Sequence, residues 1–410
     1  MKILYLCQRI PFPPDRGDRI PVYHQIRRLR ESHEVVVGSL AHPGMRENAE
    51  KLEHELGIKV IAPDHSRWRQ TSGVISAFLR GRPLTLGYFW NSELYKIVDV
   101  ELAANLFDVV IVFSSSMAQY ARRRYGIPGI MHFCDVDSLK WLNMSKESRG
   151  PRSWIYLREG RKLLVYERKI AAEFEAPCFV SKNEAEIFRK LVPRIKVGIL
   201  ENGVDADYFS ALPREDDGIN IVFVGVMDYQ PNVEAVTFFA NNIWNEVRKS
   251  RPDARFIIVG ANPSKSVMEL ARIPGIEVTG YVPDVRPYLA SATISVAPLG
   301  IARGVQNKIL EAMAAGVPVL TTPEVAKGLP EGAEPLVFTA ERDAREFAFS
   351  LLNLIENADI RRDRAVRATE FIRKNCLWEI KLRALDDLLA RVVPGGSAGR
   401  NSYERIKIPK

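Results

Sequence analysis

The chain has 410 residues, of which 46% are hydrophobic and 26% are charged. Because this length exceeds what one hydrophobic core usually serves, two domains are expected, and the composition excludes a disordered or fibrous chain. No run of 18 apolar residues and no cleavable leader is found, so the sequence predicts neither a membrane-spanning nor a secreted protein. The four cysteines lie far apart, a pattern that argues against a zinc site or a disulfide framework and fits a reducing cytoplasm.

The net charge of +8 is unevenly distributed along the chain. Residues 1–195 contain 31 Lys and Arg against 22 Asp and Glu, whereas the rest of the chain is nearly neutral. Basic stretches occur at 27–30, 122–124 and 149–169, and aromatic and aliphatic residues interleave with the cations of the last stretch. These stretches are either solvated helix faces or surfaces that attract a membrane, a nucleic acid or a phosphorylated substrate.

Short apolar runs alternate with segments of helical spacing in two successive series. The first series comprises residues 2–7, 34–40, 59–62, 108–113, 129–133 and 178–181, and the second comprises 221–225, 255–260, 276–280, 292–299 and 317–322. This alternation, without two-residue Asn-Gly turns between paired strands, predicts parallel βαβ units. The fold class is therefore α/β, with two doubly wound Rossmann-like domains that join near 196–209.

The end of the second series continues into helical segments. Residues 341–357 and 359–392 have helical spacing, and the residues after Pro394 are predicted to form a loose tail.

The stretch RGVQNKILEAMAAGVPVLTT, residues 303–322, carries the strongest chemical signal. It predicts a helix that begins after a strand ending near Leu299, where free backbone N–H groups suit a phosphate. Lys308 and Glu311 share one helix face, so a cation for a diphosphate lies beside an acceptor for ribose hydroxyls. The alternative is a surface ion pair worth ~0.2–0.5 kcal/mol. Neither a G-x-G-x-x-G fingerprint after a first strand nor a P-loop motif is present, which weakens dinucleotide and P-loop interpretations.

Residues 200–209, 280–299 and 308–322 resemble, in that order, the donor half of the retaining glycosyltransferases of family four, which have the GT-B fold. Residues 132–141 and 302–313 more narrowly resemble the sugar transferases of PEP-CTERM and exosortase exopolysaccharide systems.

The resemblance implies a cleft between two domains. The implied boundaries are 1–196 for the acceptor-side domain, 197–375 for the donor domain, about 376–392 for a C-terminal helix that packs back on the first domain, and 394–410 for the tail.

The resemblance also assigns roles to individual residues. Glu311 matches the second of two family glutamates, which binds the ribose, but Arg303 stands where the first is expected. The family's usual Arg and Lys are absent from 224–232, so Arg303 and Lys308 are expected to meet the diphosphate. The implied catalytic residues are Arg303, Lys308, His132 and Asp135. The implied donor and nucleotide contacts are Gly17, Arg19, Gly225, Gly280, Tyr281, Val282, Gly304, Val305, Gln306 and Glu311. Structural roles are the alternatives for His132 and for the loop at 7–19, where Asp18 would cap a helix.

The implied activity is transfer of a sugar from a nucleoside-diphosphate sugar to a lipid-linked or growing polysaccharide acceptor in exopolysaccharide biosynthesis. The protein is expected in the cytoplasm, with an anionic membrane surface as partner at the inner face of the cytoplasmic membrane. No metal is expected, because no D-x-D stands in a metal-binding context and the resemblance places the DVD at 135–137 on the acceptor side. No cofactor and no nucleic acid is expected either. A nucleotide-sugar epimerase of the same fold and a non-enzymatic basic RNA- or membrane-binding protein are the alternatives, and the oligomeric state stays open.

Overall fold

The computed structural model describes residues 1–122, 124–214, 218–300 and 306–393. It contains two parallel β-sheets, each covered by helices. Such sheets have both faces buried, and their strands are therefore continuously apolar rather than alternating. The strand VVIVF at Val109–Phe113 is an example, since all five of its residues are buried.

The first sheet has seven strands. They are β1 (Lys2–Leu6), β2 (Glu34–Gly38), β3 (Lys59–Ile61), β4 (Val109–Phe113), β5 (Gly129–His132), β6 (Ala176–Phe179) and β7 (Gly198–Ile199). Their order is β3-β2-β1-β4-β5-β6-β7, and Leu4 in β1 lies opposite Val36 on one side and Val110 on the other.

Eight α-helices and a 3-10 helix at Ser115–Ala121 belong to the described part of this domain. The α-helices are α1 (Ile20–Leu29), α2 (Arg46–Leu56), α3 (Arg67–Leu79), α4 (Leu84–Tyr88), α5 (Ser92–Ala103), α6 (Asp137–Glu147), α7 (Pro151–Glu173) and α8 (Lys182–Leu191).

The second sheet has six strands. They are β8 (Asn220–Val224), β9 (Arg255–Val259), β10 (Ile276–Gly280), β11 (Ile294–Ala297), β12 (Val319–Thr321) and β13 (Phe338–Thr339). Their order, β10-β9-β8-β11-β12-β13, repeats that of the first sheet up to its sixth strand.

The helices around the second sheet bury a separate core that includes Phe239, Trp244 and Phe256. They are α9 (Ala206–Phe209), α10 (Gln230–Phe238), a π-helical turn (Phe239–Ile243), α11 (Trp244–Ser250), α12 (Lys265–Leu270), α13 (Arg286–Ala290), α14 (Asn307–Ala314), α15 (Pro323–Lys327), a 3-10 helix (Glu334–Leu336), α16 (Ala344–Glu356) and α17 (Ala358–Asn375).

After α17 the chain returns to the first domain through α18 (Trp378–Lys381) and α19 (Arg383–Val392). Leu385 and Leu389 of α19 lie in the same buried cluster as Ile3 and Tyr5 of β1. The predicted C-terminal helix that crosses back to the first domain is therefore confirmed. The first sheet reaches Ile199, which is three residues beyond the domain boundary predicted at 196.

Candidate active site

Each sheet reverses its strand order once, between β1 and β4 in the first and between β8 and β11 in the second. Ligands of open parallel sheets bind at the carboxyl ends of the strands at such a reversal. The loop at 7–19 leaves β1 and the loop at 225–229 leaves β8. Nη2 of Arg16 lies 3.8 Å from Oδ1 of Asp228, so the two loops meet across the domains. The cleft between them is the candidate site.

Helix α14 begins at the domain junction. Nδ2 of Asn202, which follows the first sheet, donates to Oδ1 of Asn307 at 3.2 Å. The apolar side chains of α14 enter the core of the second domain, among them Ile309, Leu310 and Met313. This packing leaves Lys308 and Glu311 on the other face, as predicted, and both are half-buried.

Lys308 is held by two groups from the start of the second domain. Its Nζ donates to Oδ1 of Asn232 at 2.5 Å and lies 4.5 Å from the centroid of the Phe223 ring. Burial lowers the pKa of Lys308 to about 7, since desolvation penalises the ammonium ion, and the nearby Glu311 opposes this shift. A ligand that brings negative charge would favour the protonated form.

Glu311 has no side-chain hydrogen bond and no ion pair within the described residues, and its carboxylate is more than 4.0 Å from Nζ of Lys308. The surface ion pair considered as the alternative is therefore not formed. Burial raises the pKa of Glu311 to about 7, against the attraction of Lys308. A partly exposed carboxylate without a protein partner is suited to accept hydrogen bonds from a bound ligand.

Gly225 allows the groups around Lys308 to approach each other. A Cβ at this position would lie 2.7 Å from Nδ2 of Asn232 and 3.3 Å from Nζ of Lys308. Asn232 also donates to the carbonyl of Val226 at 2.9 Å, which fixes its amide orientation. A side chain at 225 would displace the amide that orients the lysine. Asn232 was missed by sequence analysis, although it lies eight residues after the end of the second domain's first strand.

Residues Gly280, Tyr281 and Val282 lie at the carboxyl end of β10, at the same edge of the second sheet. Gly280 has a φ of +69°, a left-handed conformation that disfavours other residues. The ring of Tyr281 is 70% exposed, whereas Val282 packs against the core. An exposed aromatic ring held by a fixed turn at this edge is compatible with the predicted contact to a nucleotide base.

Two arginines of the loop at 7–19 pair within the loop. Nη1 of Arg9 lies 2.7 Å from Asp18, and Nη1 of the buried Arg19 lies 2.9 Å from Asp15. The predicted donor contact Arg19 therefore points into its own loop in this structure. Arg16, which sequence analysis did not select, pairs instead with Asp228 of the second domain.

Gly17 is exposed, and a Cβ there would meet no atom within 4 Å. Its φ is not in the left-handed region, so neither packing nor backbone conformation requires a glycine at this position.

His132 ends β5 in the interior of the first domain and has no exposed surface. Tyr5 donates its hydroxyl to Oε1 of Gln25 at 2.7 Å, so Nε2 of Gln25 faces Nδ1 of His132 at 3.3 Å. Burial lowers the pKa of His132 to about 3, and the ring is therefore neutral at pH 7. The predicted catalytic histidine is thus held at Nδ1 by Gln25 and packs edge-on against Phe113, as a structural histidine would, while its buried Nε2 has no hydrogen-bond partner among the described residues.

Asp135 and Asp137 follow β5 at the carboxyl edge of the first sheet, and both are half-buried. Oγ of Ser115 donates to Asp137 at 2.9 Å. Next to them, Ser114 has a φ of +74° and Cys134 a φ of +63°. Left-handed backbone at non-glycine residues costs ~1–3 kcal/mol and is concentrated at functional sites, so this edge suits the predicted acceptor side.

Three predicted site residues, Arg303, Gly304 and Val305, lie outside the described residues. Gln306, half-buried, directly precedes α14, and its carbonyl accepts from the backbone N–H of Ile309 at 2.9 Å. Within the described ranges, no group of three or more His, Cys, Asp or Glu is placed to hold a metal ion. None of the helices in these ranges is long and apolar enough to cross a membrane.

Residues 218–357 match the family model of the group 1 glycosyl transferases. HepE of Anabaena in complex with UDP and glucose has a TM-score of 0.67 and 14% identity, over 95% of this chain and 99% of HepE. WaaG, a glycosyltransferase involved in lipopolysaccharide biosynthesis, has a TM-score of 0.65 and 16% identity, over 96% of this chain and 100% of WaaG. No curated protein sequence matches the chain.

A putative UDP-N-acetylglucosamine 2-epimerase from Listeria monocytogenes has a TM-score of 0.56 and 14% identity, over 95% of each chain. Likeness at these identities establishes the fold. The chain has the two-domain GT-B fold predicted from its sequence, and its second domain matches the group 1 glycosyltransferases.

Proposed function

We propose that the chain is a retaining glycosyltransferase that uses a nucleoside-diphosphate sugar as donor. The observation that carries this proposal is the face of α14, where Lys308 and Glu311 lie together without forming an ion pair. In a structural ion pair the lysine and the glutamate would neutralise each other's charge. These two groups instead offer a cation and an acceptor at the strand-order reversal of a domain that matches group 1 glycosyltransferases.

The donor would bind with its ribose hydroxyls on Glu311 and its diphosphate on Lys308, which Arg303 would assist. In the reaction the bond from the anomeric carbon to the diphosphate oxygen breaks, and its electron pair leaves with the diphosphate. The acceptor oxygen forms the new bond to the anomeric carbon, and its proton passes to the leaving diphosphate. Negative charge grows on the leaving diphosphate, and a preorganised cation beside it stabilises the transition state.

The proposed acceptor is a lipid-linked or growing polysaccharide at the inner face of the cytoplasmic membrane, in exopolysaccharide biosynthesis. Two features support it. The sequence at 132–141 and 302–313 resembles the sugar transferases of PEP-CTERM and exosortase systems, and the positive charge is concentrated in the acceptor-side domain. Each Lys or Arg near an anionic surface contributes ~1 kcal/mol.

Uridine diphosphate sugars are the first donors to test, because HepE has been solved with UDP and shares the fold. Neither a metal nor a cofactor enters the proposal, since backbone N–H groups at a helix start and cations can hold a diphosphate together.

The same fold in a putative epimerase supports a second candidate, a nucleotide-sugar epimerase, which would convert the donor without an acceptor. A basic RNA-binding protein is the candidate from another class, but it would have no use for Glu311 beside Lys308.

One assay separates these candidates. The chain is incubated with radiolabelled nucleoside-diphosphate sugars, with and without a bacterial lipid extract, in EDTA and in Mn²⁺. We expect label in the lipid fraction that depends on the extract, survives EDTA and retains the donor's anomeric configuration by NMR. An altered sugar without acceptor identifies an epimerase, and activity restored only by Mn²⁺ contradicts metal independence. A salt-sensitive RNA gel shift without nucleotide-sugar binding contradicts the enzyme.

A further inference from the structure

Helix α3 presents apolar side chains that the fold does not use. Ala77 is its only buried residue, whereas Trp68, Ile75 and Leu79 are 77%, 56% and 78% exposed. Residues separated by seven and eleven positions fall on one line of an α-helix. The three side chains therefore form an outward stripe on a helix that contributes little to the core.

The opposite face attaches α3 to the domain. A Cβ on Gly73 would lie 2.1 Å from the carbonyl oxygen of Gly87 in α4, and a Cβ on Gly87 would lie 2.6 Å from Cβ of Ala77. The helices thus touch through two glycines and an alanine. Because Gly73 and Ala77 lie across the helix from the stripe, the close packing of α3 on α4 keeps the stripe exposed.

The apolar surface continues onto the start of α7. Phe78 packs edge-on against Trp154, with ring centroids 6.4 Å apart, and both rings are exposed. The surface formed by Trp68, Ile75, Phe78, Leu79, Trp154 and Ile155 is called the α3–α7 patch. Contiguous exposed apolar surface of this kind marks an interaction site.

Arginines surround the patch, and although Arg69 pairs with Glu93 at 3.6 Å and Arg158 with Glu159 at 3.9 Å, others have no acidic partner in the described chain. Residues 65–92 contain four arginines and residues 148–158 contain three, and neither stretch contains Asp or Glu. Arg67, Arg80 and Arg152 have no ion pair within the described residues. An apolar stripe with aromatic rings and basic flanks is complementary to an anionic lipid surface, where rings lie at headgroup depth and arginines meet the headgroups.

The patch is connected to the cleft by hydrogen bonds. Nε2 of Gln70, in the first turn of α3, donates to Nδ1 of His42 at 3.2 Å. Nε2 of His42 in turn lies 3.3 Å from the carbonyl of Gln8, which begins the loop at 7–19. The start of α3 is therefore two hydrogen bonds from a loop that lines the candidate site.

We propose that the α3–α7 patch docks the protein on an anionic lipid bilayer, with its apolar side chains in the interface and its arginines on the headgroups. Because the start of α3 is two hydrogen bonds from the loop at 7–19, docking through α3 would bring the candidate site close to the bilayer. A lipid-linked acceptor would then enter the site without leaving the membrane. The inference rests on the proposed function for the identity of the acceptor only, since docking itself depends on the patch.

The test uses vesicles of phosphatidylcholine with phosphatidylglycerol, the full chain, and a variant that combines Trp68→Ser, Ile75→Ser and Leu79→Ser. A matched control combines Phe349→Ser, Ile360→Ser and Val366→Ser, which are 70%, 51% and 58% exposed on the second domain. We expect the native chain and the control to sediment with the vesicles at low salt. We expect the patch variant to bind at least about tenfold more weakly, because apolar insertion and charge act together.

Equal vesicle binding by the patch variant and the native chain would overturn the proposal, as would binding to neutral vesicles alone. Concentration-dependent self-association that only the patch variant loses would show a second copy as occupant instead. Calorimetry with a nucleoside diphosphate separates this inference from the proposed function. Vesicle binding without nucleotide binding contradicts the enzyme and leaves the docking surface, whereas the reverse contradicts the docking surface alone.

Discussion

The loop after β1 and the helix after β11 both lie at a strand-order reversal, but their charged groups are partnered differently. In the loop, Arg9 and Arg19 each have a carboxylate within 3 Å. On the helix, Lys308 has only a neutral amide and an aromatic ring, and Glu311 has no partner in the described chain. Charged groups that pair within the protein stabilise its own structure, whereas charged groups without an oppositely charged partner are the better candidates for ligand binding. The comparison therefore favours the helix as the proposed donor site.

Lys308→Ala should have the largest effect. We expect turnover to fall by ~10²–10³, the range for loss of one group that stabilises transition-state charge. Thermal stability should change little, because burial already disfavours the charged form of this lysine. Lys327→Ala, on an exposed residue of the same domain, is the control. An early-melting Lys308→Ala variant with unchanged specific activity would contradict the comparison.

Glu311→Ala should weaken donor binding and leave the fold intact. The loss of ribose hydrogen bonds to a charged acceptor costs ~1.5–3 kcal/mol, or about 10- to 150-fold in Kd. Calorimetry with a nucleoside diphosphate measures this change in Kd. A 2′,3′-dideoxy nucleotide is the matched ligand, and we expect it to bind the native chain and the variant alike. Equal affinity of both proteins for the ribonucleotide would exclude the assigned role.

The affinity for a nucleoside diphosphate should be highest near pH 7. Below about pH 7 the Glu311 carboxylate becomes protonated and accepts hydrogen bonds less well. Above about pH 7 the Lys308 ammonium group becomes neutral in the free protein. Binding above pH 7 must then take up a proton, so Kd should rise by up to about tenfold per pH unit. Glu311→Ala should remove the acid limb and Lys308→Ala the alkaline limb. A flat profile in the native chain would exclude both titrations.

His132→Ala applies the same distinction to a residue outside both regions, a buried histidine whose Nδ1 faces Gln25. Because Gln25 would lose a buried partner, we expect the free energy of unfolding to fall by ~1–3 kcal/mol while specific activity is kept. His132→Asn should restore part of the stability if its amide oxygen accepts from Gln25. Denaturant unfolding measures the free energy of unfolding, and a transfer assay on the same samples measures the specific activity. Lost activity at native stability would support the catalytic role predicted from the sequence.

Asp228→Asn should have the smallest effect. It releases Arg16 from the ion pair between the domains and frees its guanidinium for a diphosphate. Since exposed ion pairs contribute ~0–1 kcal/mol, nucleoside diphosphate affinity should rise only a few-fold. Arg16→Gln should lower it, with no change for the nucleoside alone. Unchanged diphosphate affinity in both variants would show that the ion pair has no bearing on the donor.

Most of the fold was predictable because buried parallel strands are short apolar runs. The runs at 34–40 and 255–260 correspond to Glu34–Gly38 and Arg255–Val259. The two-residue strand Phe338–Thr339 gives no such signal and was missed. The helical segment at 359–392 is interrupted after Asn375, where Val204 donates to the carbonyl of Cys376, a contact 172 residues apart that no local pattern encodes.

The geometry of the candidate site was predictable where its residues are neighbours in sequence. Lys308 and Glu311 follow from helix periodicity alone. Asn232 and the pair of Arg16 with Asp228 depend on how distant segments pack, so sequence spacing does not show them. The outward stripe of α3 was also missed, because an apolar helix pattern predicts a buried face and only the glycine contact with α4 shows which face is covered.

The central claim, that Lys308 and Glu311 bind a nucleoside-diphosphate sugar, is tested most directly by thermal-shift measurements with uridine, guanosine and adenosine diphosphate sugars. A ligand that binds the native state raises its melting temperature. The diphosphate sugars of one base should raise the melting temperature of the native chain. They should not raise that of the variant that combines Lys308→Ala with Glu311→Ala. No shift with any of the three, or an equal shift in the variant, would contradict the claim.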